Sequence, residues 1–176
     1  MLNDIIKIKK IYKYIINKNY EKLREFPDNL ILSVKLLRNL DFKEDNKIYS
    51  IVRDKQSSFR NKLLKRYKNK CALTGQLEKV CEACHIIPFS ECQDVFKKYD
   101  VNNGILLTRN LHKLYDQNLF YICENDCKIK INPKTAMEDI LNYNLNDYKD
   151  KNIKELDNPK SKKYLEIRNN NYKNGV

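Results

Sequence analysis

Residues 4–17 place Ile5, Ile8, Tyr12, Ile15 and Ile16 at three- and four-residue intervals with lysines between them, which predicts an amphipathic helix. Pro27-Asp28 interrupts the pattern, and Asp28 is a candidate cap for a second helix through Leu30, Val34, Leu37 and Leu40. A third helix is predicted to begin at Ser57 or Ser58, with Phe59, Leu63, Leu64 and Tyr67 on one side and Arg60, Lys62, Lys65, Arg66 and Lys68 around the rest. From residue 71 the period changes. Cys71-Ala72-Leu73-Thr74-Gly75 has the character of a strand end and turn, and Lys79 to Ile87 contains a short apolar run able to form a strand. Pro88 to Asn103 reads as loop, Gly104 to Thr108 as a second strand, and Arg109 to Gln117 as a short helix. Leu119–Cys123 and Cys127–Ile131 form a hairpin pattern, and a late helical segment surrounds Tyr164, Leu165 and Ile167. The class expected is α+β.

Composition narrows the picture. A chain of 176 residues with 41% hydrophobic content is long enough for one compact core with appended helices, and its three glycines exclude collagen-like repeats. No apolar run approaches the roughly 20 residues of a membrane span, and Met1-Leu2-Asn3-Asp4 lacks the layout of a secretion signal. The expectation is a soluble cytoplasmic protein without membrane contact. In that compartment its six cysteines are thiols or metal ligands before they are disulfides. Net charge is +12, but its distribution says more: +4 over residues 1–50, +7 over 51–70, −3 over 71–127 and +4 over 128–176. The acidic stretch holds both histidines and all six cysteines. Basic flanks around such a centre suit a metal-dependent enzyme acting on a polyanion, with nucleic acid as the commonest candidate.

The candidate chemistry lies in the order strand with His85, loop with Asn102 and Asn103, strand, helix with His112. That order can set two histidines opposite each other with a loop amide fixing their distance. One imidazole can serve as general base and the other as metal ligand, because a metal-bound nitrogen cannot accept a proton. Cys81-x-x-Cys84 with Cys123-x-x-x-Cys127 also has the residue types for a four-thiolate zinc site, but Cys81 and Cys84 fall in a strand where a zinc knuckle wants a turn. Buried thiols are the favoured reading.

Six segments carry a resemblance: Arg53-Asp54-Lys55-Gln56, Phe59-Arg60, Cys71-Ala72-Leu73-Thr74-Gly75, Glu82-Ala83-Cys84-His85-Ile86, Asn103-Gly104-Ile105-Leu106-Leu107 and His112-Lys113-Leu114-Tyr115-Asp116. In this order they resemble the HNH endonuclease module, and more narrowly its branch associated with restriction endonucleases, over residues 53 to 122. The resemblance implies a ββα-metal fold and divalent-metal-dependent hydrolysis of DNA. It implies His85 as general base, Asn103 as the loop residue that pins the strands, and His112 as metal ligand. One divalent ion per site is implied, with Mg²⁺ expected and Mn²⁺ or Ni²⁺ as alternatives ahead of structural zinc. Many relatives carry a histidine or acidic ligand just before the base. Here that position is Cys84, so the second ligand is sought among Glu82, Asp116 and Asn110. Tyr115 stands where the branch has phenylalanine.

The division expected is an N-terminal helical extension at 1–50 for DNA contact or dimerisation, a nuclease core at 51–131 and a C-terminal extension at 132–176. Arg53, Arg60, Lys62, Lys65, Arg66 and Arg109 are candidate contacts to double-stranded DNA, and a homodimer would suit a palindromic target. A non-catalytic nucleic-acid-binding module on the same scaffold, or a homing or nicking endonuclease, are the alternative readings.

Overall fold

Leu2–Ile16 forms the first helix, α1, and buries Ile11 and Ile15 completely against Leu23, Phe26 and Ile31. It ends in a left-handed residue: Lys18 has φ 53°, Lys18 N donates to Ile15 O at 3.0 Å, and Asn19 N reaches back to Tyr14 O at 2.9 Å. This paired closure satisfies carbonyls that the last turn would leave open. The computed structural model describes residues 2–28, 30, 31, 42–89, 91, 92 and 95–173. Of the second expected helix, Asp28, Leu30 and Ile31 are helical, with Leu30 N and Ile31 N donating to Pro27 O, while Val34, Leu37 and Leu40 lie outside the described residues. Asp28 is not a cap. Its buried carboxylate accepts from Lys55 Nζ at 3.1 Å and from the Tyr99 hydroxyl.

The long helix α2 runs from Phe42 to Arg66, so the expected start at Ser57 or Ser58 is corrected. Both serines are exposed in the helix interior, where a hydroxyl facing water interrupts nothing. The chain divides into two compact units whose boundary falls inside α2: residues 1–59 with 93–99, and residues 60–92 with 100–176. The expected boundary at residue 50 also lies within this helix.

In the second unit, β1 (Cys81–His85) pairs antiparallel with β2 (Gly104–Thr108), with Cys81 opposite Thr108 and His85 opposite Gly104. The short helix α3 (Val95–Lys98) interrupts the connection between these strands and belongs to the first unit. All five residues of β2 are buried, whereas β1 leaves Glu82, Ala83 and His85 half-buried. Helix α4, Arg109–Asp116, follows β2 without a break and buries Leu111, Leu114 and Tyr115. It closes on Asn118, at φ 57°, with Leu119 N donating to Leu114 O at 3.1 Å. Asparagine tolerates this left-handed position better than most residues. Strands β3 (Phe120–Ile122) and β4 (Ile129–Ile131) make the expected hairpin. A small helix α5 (Met137–Asn142) then leads to α6, Pro159–Lys173. The sequence dictates how α6 starts: Asn158 Oδ1 accepts from Ser161 N at 3.0 Å, and Pro159 occupies the first helical position, where no N–H is needed. The α+β class with a ββα core, a small hairpin and flanking helices is the observed architecture. No helix among the described residues is long and apolar enough to cross a membrane.

Candidate active site

The site is built at the end of β1, the entry to β2 and one face of α4. Asn103 is fully buried in the turn before β2, and its side-chain Oδ1 accepts from Ile87 N at 2.8 Å. Its main chain adds two more bonds: Asn103 O accepts from Ile86 N at 2.9 Å, and Asn103 N donates to Asp100 O at 2.9 Å. Asp100 shapes the same turn through Asn102 N at 2.9 Å and receives the Tyr164 hydroxyl at 3.1 Å. The chain leaving His85 is thus tied to the start of β2 at two consecutive residues. His85 itself is half-buried, with Phe89 edge-on to its ring at 5.5 Å between centroids.

His112 reaches β1 from α4. Its Nδ1 lies 2.8 Å from Glu82 Oε2, and its Nε2 lies 3.3 Å from Asp116 Oδ2 one turn on. Arg109 Nε donates to the other oxygen of Glu82 at 2.8 Å. Spacings of three and four residues put Arg109, His112 and Asp116 on one face of α4, which is why a single carboxylate on β1 can engage two of them. The contact with His112 first, and with Arg109 second, holds the Glu82 carboxyl below the usual carboxylate range.

Cys84 is fully buried and shares this face. Its Sγ, a ring nitrogen of His112 and an Asp116 oxygen all lie within 4.8 Å of one another, the one group among the described residues able to hold a metal ion through three ligand atoms. The donor set of thiol, imidazole and carboxylate fits a divalent transition ion. Burial pushes the Cys84 thiol well up, so it is a neutral S–H without a cation beside it, and Sγ then lies 3.6 Å from His85 O. Glu82 stands one step outside the group, bonded to the His112 nitrogen that faces away from Asp116. The structure therefore brings together His112 and Asp116 of the expected ligands and adds Cys84. Asn110 is exposed at the start of α4. Cys81, Cys123 and Cys127 are free thiols that do not join it.

His85 borders the group without entering it.

The candidate DNA contacts divide by what their side chains do. Arg60 donates to Cys81 O at 2.8 Å and Glu78 O at 3.1 Å, and Arg66 donates to Val101 O at 3.0 Å and to Glu155 O. Both guanidinium groups anchor main chain around the site. Lys62, Lys65 and Arg109 are exposed in the same unit, and Arg53 is exposed in the first unit. Beside the start of α4 lies a cleft of about 610 Å³ with Lys79, Arg109, Gln76, Asn110 and Tyr143 among its walls and no carboxylate.

One residue that the sequence did not point to is Arg168 of α6. Fully buried, it donates to Ile86 O at 2.9 Å and to Tyr115 O at 2.5 Å, and its guanidinium stacks 3.8 Å from the Tyr115 ring centroid. It thereby couples the segment after His85 to the helix that carries His112. A contact spanning 82 residues leaves no local signal; an arginine at an otherwise apolar helix position is the one hint.

Among known proteins, residues 71–123 match the family model described as HNH endonuclease. No curated protein matches the chain.

Proposed function

Because residues 71–123 match the HNH endonuclease family model, we propose that this chain is a divalent-metal-dependent endonuclease that hydrolyses phosphodiester bonds of double-stranded DNA, of the restriction or defence type. The observation that carries the reading is the pairing of two separate imidazole environments: His85 at a locked strand end outside the ligand group, and His112 inside it.

His85 takes the proton from the attacking water. It suits that task because it is not among the metal-binding side chains, and a base must keep a nitrogen lone pair free to accept a proton. Asn103 fixes the strand end so that the imidazole and the scissile phosphate keep one distance, a geometry in which an error of 1 Å costs about 10²-fold in rate. His112 and Asp116 hold the metal ion, and Glu82 orients the His112 ring from behind. When bound, the ion supplies positive charge against the phosphate oxygens as negative charge builds there. Arg109 and the cations beside the α4 cleft grip the flanking backbone, while Lys62, Lys65 and Arg53 add sequence-independent attraction. The first unit supplies further DNA contacts or a homodimer interface.

The test is plasmid cleavage with Mg²⁺, Mn²⁺, Ni²⁺, Co²⁺ or Zn²⁺, with and without EDTA, for the parent and for His85→Ala. Cleavage by the parent should require metal, and His85→Ala should lose at least about 10²-fold in rate while still retarding DNA in a gel. A variant that cuts at the parental rate refutes the role of His85. A parent that binds DNA but never nicks it under any metal establishes the non-catalytic reading instead.

A further inference from the structure

The ligand group holds a sulfur, and sulfur changes which ion it selects. We infer that Cys84 is a ligand of the metal and that the resident ion is a thiolate-accepting one of the Zn²⁺ or Co²⁺ kind in place of Mg²⁺. This rests on the reading of the site as metal-dependent and deepens it.

Three features of the geometry support the inference. First, the 3.3 Å between His112 Nε2 and Asp116 Oδ2 matches the edge of a tetrahedron whose metal–ligand bonds are about 2.0–2.1 Å. Second, the His112 tautomer that donates Nδ1–H to Glu82 at 2.8 Å leaves Nε2 with a lone pair on the Asp116 side. Third, Cys84 Sγ is within 4.8 Å of both partners, so small side-chain rotations bring all three onto one ion. Sulfur bonds to zinc at about 2.3 Å, whereas Mg²⁺ demands an octahedron of oxygens and gains nothing from a buried thiol.

Burial is graded across the group. Cys84 is fully buried, His112 half-buried and Asp116 exposed, so an ion held by the three is walled by protein on the sulfur side and open on the carboxylate side. Three protein ligands with an open fourth position is the arrangement of catalytic, not structural, zinc. Binding through sulfur would displace the thiol proton, which would leave by way of the exposed Asp116 carboxylate to solvent, and the sulfur's weak contact with His85 O would be given up.

Titrating Co²⁺ into the full-length chain should produce a near-ultraviolet thiolate-to-cobalt charge-transfer band, together with the visible bands of tetrahedral cobalt. Zn²⁺ should abolish both, and a large excess of Mg²⁺ should leave them unchanged. Cys84→Ala should lose the charge-transfer band and weaken Co²⁺ binding at least about 100-fold, although five other cysteines remain to report any adventitious thiolate site. Asp116→Asn alters an exposed side chain and leaves the buried face intact. It should keep the charge-transfer band while binding Co²⁺ about 10- to 100-fold more weakly. Absence of the band in the parent, or its survival in Cys84→Ala, overturns the inference. Plasmid cleavage on the same samples separates the two readings. Mg²⁺-supported cleavage with no charge-transfer band sinks the sulfur ligand and leaves the nuclease standing. A cobalt–thiolate band without cleavage under any metal does the reverse.

Discussion

Asn103→Ala is the most direct test of whether the strand end is locked for catalysis. The substitution removes an Oδ1 that accepts from Ile87 N at 2.8 Å in a fully buried site and leaves that N–H without its partner. An orphaned buried donor costs about 1–3 kcal/mol, which for a chain of this size is roughly 2–12 °C in melting temperature. The two main-chain bonds of the turn, Ile86 N to Asn103 O and Asn103 N to Asp100 O, do not depend on the side chain and survive. The fold should therefore persist while the segment just after His85 gains freedom, and cleavage should fall by about 10²-fold at a temperature where the variant is fully folded. Thermal melts followed by circular dichroism give the first quantity, and a plasmid-nicking time course with gel retardation gives the second. A variant that melts lower yet cuts at the parental rate would show that the brace is structural and that His85 does not need it. An unchanged melting temperature would refute the burial argument itself.

Four further outcomes follow from the same geometry. Lys55→Ala strands the buried Asp28 carboxylate with Tyr99 alone and should destabilise the protein by about 3–5 kcal/mol in urea unfolding, whereas Lys55→Met with Asp28→Ala should recover much of the loss. Glu82 has a depressed folded pKa, so its stabilising contribution is complete above the ordinary glutamate value of about 4.3 and is lost as pH falls through the lower folded value. In EDTA, the melting-temperature gap between the parent and Glu82→Gln should shrink once pH falls below the ordinary glutamate value of about 4.3; a gap that keeps its full size to the lowest pH at which both proteins fold contradicts the assignment. Tyr115→Phe should be neutral or stabilise by up to about 1 kcal/mol in urea unfolding, because the buried Tyr115 hydroxyl has no hydrogen-bond partner among the described residues. Lys62→Ala and Lys65→Ala should each lower the salt slope of DNA binding by about 1 if each contacts a phosphate, while Arg60→Ala, whose guanidinium is held by Cys81 O and Glu78 O, should leave the slope unchanged.

Where a short segment carries its own signals, the sequence is readable to the residue. Gly104–Thr108 is an unbroken apolar run behind an Asn-Asn-Gly turn, and Arg109–Asp116 follows with helical spacing; both form within a residue of expectation. The long helix was harder. Ile48, Ile51 and Val52 carry helical spacing forward to Lys55 and Phe59, so the period reaches back past the paired serines, which imitate a cap although they merely face water. At the candidate site, the placement of His85 at the end of β1, Asn103 in the turn before β2 and His112 on α4 was legible because strand, turn and helix signals follow one another there. Whether Glu82 or Cys84 joins His112 and Asp116 in the candidate ligand group was not, since both lie on the same face of β1 and only the reach of the His112 ring decides between them. Its Nδ1 goes to Glu82 and its Nε2 to the Asp116 side.

The family match stops at residue 123, yet the structure that holds the site does not. Arg168, 53 positions beyond Tyr115, is the link between the main chain after His85 and the last turn of α4. Carbonyl oxygens of Ile86 and Tyr115 and the ring faces of Tyr115 and Tyr172 receive its charge, and its Nε has no partner among the described residues. A buried cation so placed is costly, and it persists because two elements would otherwise end in unsatisfied carbonyls. Ser161 of the same helix donates to Asn102 O at 3.1 Å, and Tyr164 donates to Asp100, so α6 also supports the turn that presents Asn103. Strand, turn and helix thus take their relative positions from α6 as much as from each other. The unit that builds the candidate site is accordingly the whole second unit, residues 60–92 with 100–176, and the 71–123 segment is the part of it that matches the family model.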